Sequence, residues 1–234
     1  AEYNGIEKTI EKEFDVFYKK KAGSSCYNHS PLDVSSQDIQ PQGIAFNSDG
    51  RKLFIMGASD DKVIEYAIGI AYCSDNLQFI RSFSVTSQEV LPTSVAFNAD
   101  GTKMFTLGYT TGDKVYEYTL STGFDVSTAS VVDGFSIASE EDFPGGIAFN
   151  ADGTKMFVVG RTADAVFEYT LSTGFDVSTT SYVDSFSIAD QENLSTGIAF
   201  NSAGTKMFIV GAVGDDVNVY KLSTGFDVST AVAQ

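Results

Sequence analysis

The feature that most constrains this chain is an internal repeat. Gly43-Ile44-Ala45-Phe46-Asn47 returns as Ser94-Val95-Ala96-Phe97-Asn98, Gly146-Ile147-Ala148-Phe149-Asn150 and Gly197-Ile198-Ala199-Phe200-Asn201, with the phenylalanines 51, 52 and 51 residues apart. A second marker, Tyr66, Tyr118, Tyr169 and Tyr220, is spaced 52, 51 and 51, so the period runs through the whole unit. Such a period marks a supersecondary unit that cannot bury its faces alone and must stack on its neighbours.

Within the third unit, strands are predicted over 146–149, 155–159, 165–171 and 181–188, each rich in Val, Ile, Phe and Tyr and bounded by turn residues. The first pair is joined by Asn150-Ala151-Asp152-Gly153, whose Asp-Gly pair accepts the positive φ of a tight hairpin. Four antiparallel strands at this period are the signature of a propeller blade. The expected fold is therefore all-β, a four-bladed β-propeller of four-stranded antiparallel blades over 26–234, preceded by an N-terminal tail over 1–25. One period beyond Ser181 lies residue 232, so the chain stops as its last blade should begin its fourth strand, and that strand is expected to be missing. One period before Phe83 lies Leu32, in a segment that mirrors 82–88. An N-terminal strand is expected to close the ring, in cis or on a neighbouring molecule, with Leu32 and Val34 in the places of Phe83 and Val85.

The stretch from Gly146 to Gly160 resembles the strand-turn-strand core of YVTN and NHL propeller repeats. Leu171-Ser172-Thr173-Gly174-Phe175-Asp176-Val177-Ser178-Thr179 is similar to a repeat of secreted, surface and phage-borne proteins of aquatic microbes. The resemblance covers about residues 27–234 and implies a propeller while leaving activity open, because propellers host enzymes, binders and scaffolds alike. Some propellers with this core are lactonases that set acidic and histidine residues around a central metal. This chain departs from them: its one histidine, His29, precedes the blades, and no single blade carries a distinctive acid.

Thirty-one Asp and Glu against fifteen Lys and Arg give a net charge of -16, which argues against a nucleic-acid backbone or an anionic membrane surface as partner. Cations, glycans and proteins remain. No apolar run approaches the roughly 18 to 20 residues of a membrane span. The start at Ala1-Glu2-Tyr3 fits a processed chain, so a secreted, extracellular or cell-surface location is expected. Cys26 and Cys73, with one histidine, cannot build a tetrahedral metal site, and a disulfide between them is expected. Asn28-His29-Ser30 and Asn193-Leu194-Ser195 fit the glycosylation pattern.

Two sets of acids recur. Asp61, Asp113, Asp164 and Asp215 fall between second and third strands, and Asp38, Glu89, Glu141 and Glu192 fall in the loops that enter each blade. Both sets are placed on one face, where Ca²⁺ is the one candidate ligand ion; the plainer reading is that each Asp caps its own turn. Lys52, Lys103, Lys155 and Lys206 recur with Glu65, Glu117 and Glu168 as solvated cross-strand pairs, worth about 0.2 to 1 kcal/mol. In the tail, Ile6, Ile10, Phe14 and Phe17 would share one face of a helix, while Glu13-Phe14-Asp15-Val16 echoes the repeat's Gly-Phe-Asp-Val and would make an extended strand; either way these apolar side chains need a partner. These residues lead to the expectation of a non-catalytic structural or adhesive module, self-assembling through its tail into a ring or, preferably, a fibre or surface layer. The alternatives are a cation- or glycan-binding propeller and a metal-dependent lactonase-like hydrolase.

Overall fold

The computed structural model describes residues 32–69, 71, 77–110, 112–214 and 216–234. Cys26, Cys73, Asn28, Asp215 and the tail residues Ile6, Ile10, Phe14 and Phe17 lie outside the described residues, so the disulfide, the first glycosylation sequon and the tail helix are expectations about segments that are not described.

Blade 1 comprises β1 (Pro41–Phe46), β2 (Lys52–Gly57), β3 (Lys62–Ile68) and β4 (Leu77–Ser84), and blade 2 comprises β5 (Pro92–Phe97), β6 (Lys103–Gly108), β7 (Lys114–Leu120) and β8 (Ala129–Ser136). Blade 3 follows with β9 (Pro144–Phe149), β10 (Lys155–Gly160), β11 (Ala165–Leu171) and β12 (Thr180–Ser187), and blade 4 with β13 (Ser195–Phe200), β14 (Lys206–Gly211), β15 (Val217–Leu222) and β16 (Ala231–Ala233). Each blade is one antiparallel sheet with its strands in chain order. The chain is a four-bladed, all-β propeller.

The second strands read as nearly unbroken apolar runs, such as Met156 to Val159 in blade 3, where both faces are covered. Met156 turns toward blade 2 and Phe157 toward blade 4. At every seam between consecutive blades a phenylalanine pair repeats: Phe54 on Phe97, Phe105 on Phe149 and Phe157 on Phe200, with ring centroids 4.4, 4.5 and 4.5 Å apart. Nearer the rim, Phe83, Phe135 and Phe186 stand edge-on to Tyr118, Tyr169 and Tyr220 of the next blade.

The turn from β9 to β10 has positive φ at Gly153 alone, at +71°, and a side chain there would collide with the ring of Phe175. That ring belongs to the Gly-Phe-Asp-Val-Ser-Thr stretch between third and fourth strands. Phe175 itself has φ +59°, an uncommon conformation for a bulky residue, and Asp176 then caps the short 3-10 turn Val177–Thr179 by accepting from the Ser178 N–H.

These turns tie the blades together. Lys103 Nζ donates to Glu117 at 2.6 Å and to the Phe175 carbonyl of the next blade at 2.7 Å, while Glu117 also accepts from the Val177 N–H at 2.9 Å. Lys52 with Glu65 and Lys155 with Glu168 repeat the arrangement onto Phe124 and Val126 and onto Phe226 and Val228. The expectation of solvated pairs is corrected here: the glutamates are buried, because each faces the next blade and not water.

Leu32 and Val34 pack on blade 1 against Leu53, Ile55 and Tyr66. The Val34 carbonyl accepts from the Gln37 and Asp38 N–H groups as the Val85 carbonyl does from those of Gln88 and Glu89. They thus hold against blade 1 the place that Phe83 and Val85 hold against blade 2. The expectation that blade 4 lacks its own fourth strand is corrected here: a short β16 pairs with Tyr220 to Leu222. Among the described residues no N-terminal strand joins that sheet and no buried cluster spans blades 4 and 1.

Candidate functional site

The loops entering each blade and the turns between second and third strands share one face, as strand parity requires. The entry-loop acids bend inward. Asp38, Glu89, Glu141 and Glu192 are buried and take backbone N–H groups of their own blade's turn. Glu141 accepts from Phe143 at 2.7 Å and from Thr162 and Ala163 at 3.1 Å each, and Glu192 accepts from Leu194 at 2.7 Å. Gly160 leaves the space for this, since a Cβ there would overlap the Glu141 carboxylate.

Asp61, Asp113 and Asp164 sit at the turns with φ near +50°, a conformation Asp tolerates better than most residues. Asp61 reaches across to the Leu91 N–H at 2.9 Å. Oδ1 of Asp113 and of Asp164 is buried without a hydrogen-bond partner among the described residues. Burial first, then the charges of Asp142 and Glu141, raises the Asp113 carboxyl above the usual range. The turn aspartates stay on separate blades, and among the described residues no group of three or more His, Cys, Asp and Glu is placed to hold a metal ion. The donors among the described residues therefore do not fit the central metal of a metal-dependent lactonase. Asn193, of the second sequon, is exposed in the loop before β13.

A different constellation lies at the axial mouth of this face, where first strands begin and second strands end. A cavity of about 60 Å³ is lined by Gln40 and Gln42 of blade 1, Thr93 and Tyr109 of blade 2 and Arg161 of blade 3, with Ala58, Leu91 and Pro92. The Arg161 backbone N–H is tied to the Phe143 carbonyl at 3.1 Å, and its Nε donates to the Ser195 carbonyl at 3.3 Å. Its guanidinium lies 5.3 Å from the Phe143 ring centroid, and the Tyr109 ring stacks on Phe143 with centroids 3.9 Å apart. Arg161 thus carries a fixed positive charge beside exposed amides on a face otherwise rich in carboxylates. Such a group can hold a carbonyl oxygen, a carboxylate or a phosphate.

Sequence reasoning passed over these residues because they do not repeat. The position after each second strand reads Ala58, Tyr109, Arg161, Ala212, and the position opening each first strand reads Gln40, Leu91, Phe143, Leu194. Loss of the repeat at structurally equivalent, mouth-facing positions was the available signal.

No family model and no curated protein sequence matches the chain. Solved propellers are similar in fold. A candidate 6-phosphogluconolactonase from Bacteroides fragilis matches with a TM-score of 0.56 and 16% identity over 83% of this chain and 52% of its own. The periplasmic gluconolactonase PpgL of Pseudomonas aeruginosa matches at 0.54 and 17%, over 82% and 53%. The Cps50 (Swd1) β-propeller domain of Myceliophteria thermophila matches at 0.51 and 11%, over 78% and 54%. The chain thus spans about half the length of the solved structures it matches. These comparisons correct the expectation of a non-catalytic structural or adhesive module and of a protein that is not an enzyme: similar propellers include ones named as lactonases.

Proposed function

We propose that this protein is a lactonase-like hydrolase acting on sugar lactones at the axial mouth. The observation that carries the reading is Arg161, a cation placed by one blade only in a cavity whose other polar lining is amides, a hydroxyl and a phenol. The names of the similar structures support the reaction class, and so does the resemblance of the repeats to the YVTN and NHL core. Lactone hydrolysis adds water to the ring carbonyl, breaks the ring C–O bond and leaves a hydroxy acid, with a proton released at neutral pH. Negative charge develops on the carbonyl oxygen, and a guanidinium held in place by Ser195 and Phe143 stabilises that charge without having to reorganise. The cavity takes the carbonyl end, and Gln40 and Gln42 meet the sugar hydroxyls above it.

The test follows proton release from gluconolactone and 6-phosphogluconolactone in a pH-stat. The protein is expected to exceed the spontaneous rate, and Arg161→Ala to lower kcat/KM by about 10²-fold. A wild-type rate equal to the spontaneous one overturns the hydrolase. A second reading, binding of a sugar or sugar acid without turnover, is favoured by the cavity lining itself, in which no described residue is a carboxylate or imidazole that could take the proton from water. Gluconate binding by calorimetry with no acceleration, lost in Arg161→Ala, selects that reading.

A further inference from the structure

The second residue of each first strand reads Gln42, Thr93, Gly145 and Thr196. In blade 2 the buried Thr93 hydroxyl lies 3.3 Å from the Leu107 carbonyl of its own blade and 3.0 Å from the Pro144 carbonyl of blade 3. A hydroxyl from one blade thus occupies the carbonyl that opens the next. One seam further on, the corresponding carbonyl is that of Ser195, and the residue that would reach it is Gly145, which has no side chain to offer. Arg161 Nε donates to that carbonyl instead, at 3.3 Å. Gly145 is needed for space: a Cβ there would overlap the Ser195 carbonyl oxygen and stand 3.1 Å from the Cα of Thr196.

Ser195 breaks the repeat as well. The other first strands open on Pro41, Pro92 and Pro144, whereas the hydroxyl of the fully buried Ser195 donates to the Gly160 carbonyl at 2.9 Å. One residue of blade 4 therefore holds two consecutive residues of blade 3, Gly160 through its hydroxyl and Arg161 through its carbonyl. The arginine is fixed at its main chain, at Nε and over the Phe143 ring, and no described residue hydrogen-bonds its two terminal nitrogens. Packing alone does not require these departures, since the seam between blades 2 and 3 is closed at the same register by Thr93 and Pro144.

We propose that Gly145 is a positioning residue for Arg161. By withholding a side chain it leaves the Ser195 carbonyl to Nε, and the guanidinium then presents its two terminal nitrogens to the mouth as a preformed pair of donors. The inference rests on the reading that Arg161 meets the ligand there. A donor pair set before the ligand arrives meets developing negative charge without reorganising.

The full chain labelled with nitrogen-15 tests this without any need for turnover. The Arg161 Nε–H signal, identified by its loss in Arg161→Ala, is expected to exchange with water about 10-fold more slowly in the wild type than in Gly145→Thr, where the added hydroxyl takes the Ser195 carbonyl. Gly145→Ala blocks the same carbonyl with a smaller group; it is expected to lose the same protection, and it decides the matter if the threonine variant does not fold. Gly146→Ala crowds the same seam, 3.0 Å from the Cα of Gly197, but leaves the Ser195 carbonyl open. It is expected to lower stability and to keep the Arg161 signal protected. In lactone turnover, Gly145→Thr is expected to lower kcat about 10-fold with KM changed by less than about twofold. A wild type without turnover overturns the hydrolase and leaves the exchange rates to decide the positioning. Equal exchange in the wild type and Gly145→Ala, or equal loss of protection in Gly146→Ala, overturns the positioning itself.

Discussion

The seam between blades 3 and 4 and the outer face of blade 4 are built from the same repeat unit, and their difference shows how burial depends on the neighbour. Val166 and Val217 hold equivalent positions at the start of β11 and β15; the first is fully buried under blade 4 and the second is exposed. Glu168 and Val219 are equivalent in the same way, and the carboxylate survives only where the next blade presents the Val228 N–H and brings the Phe226 carbonyl to Lys155. A propeller seam thus combines interchangeable apolar packing with a charge that is tolerable only when its partners are in place.

The largest effect expected from this comparison comes from placing a charge in the two environments. Val166→Asp buries an unpaired carboxylate between blades 3 and 4 and is expected to cost more than about 4 kcal/mol of unfolding free energy. Val217→Asp, by contrast, should change the stability of the single chain by no more than about 0.5 kcal/mol. Urea unfolding of both variants checks the contrast, and equal losses would mean that the face of blade 4 is buried within its own chain.

A smaller effect is expected at the clamp. Glu117→Ala leaves the Lys103 ammonium and the Val177 N–H without their carboxylate and should cost about 3 kcal/mol. Val219→Glu adds the same carboxylate to blade 4, beside the exposed Lys206, and is expected to be nearly neutral in the single chain, within about 0.5 kcal/mol.

The smallest effect concerns the tyrosines that repeat with the blades. Tyr118 is fully buried in the seam between blades 1 and 2, its hydroxyl has no hydrogen-bond partner among the described residues, and burial pushes its pKa up to about 12. An unfolded tyrosine ionises near 10, so the folded state holds its proton over a wider range. Its contribution is complete below about pH 10 and is lost as the pH rises from about 10 to about 12, on the order of 2 kcal/mol. Tyr118→Phe should flatten that alkaline decline in a pH series of thermal melts. Tyr66, on the outer face of blade 1, donates instead to Gln37 at 2.8 Å, and Tyr66→Phe should cost about 1 kcal/mol at neutral pH.

The blades were legible in the sequence because each is a local event. The Asn150 to Gly153 turn, the apolar run from Met156 to Val159 and the return strand from Ala165 to Leu171 lie within one unit, and their hydrogen bonds connect residues close in sequence. The clamp was only half legible: Lys103 and Glu117 announce a cross-strand pair, but nothing near them in the chain reveals that the Phe175 carbonyl and the Val177 N–H arrive from the next blade to bury it. The mouth was least legible, since Arg161, Phe143, Tyr109 and Gln40 come from three blades and stand at repeat positions that keep no common residue type.

By itself, then, the sequence determined the strand pattern, the number of blades and the recurrence of each turn, because periodicity and turn chemistry act over a few residues. The tertiary structure alone decided which copies of a repeated residue are buried, that the entry-loop acids cap backbone N–H groups instead of converging on a cation, and that one arginine meets the axis. Each of these depends on what an adjacent blade places opposite the residue, and the repeat makes the residues alike without making their neighbours alike.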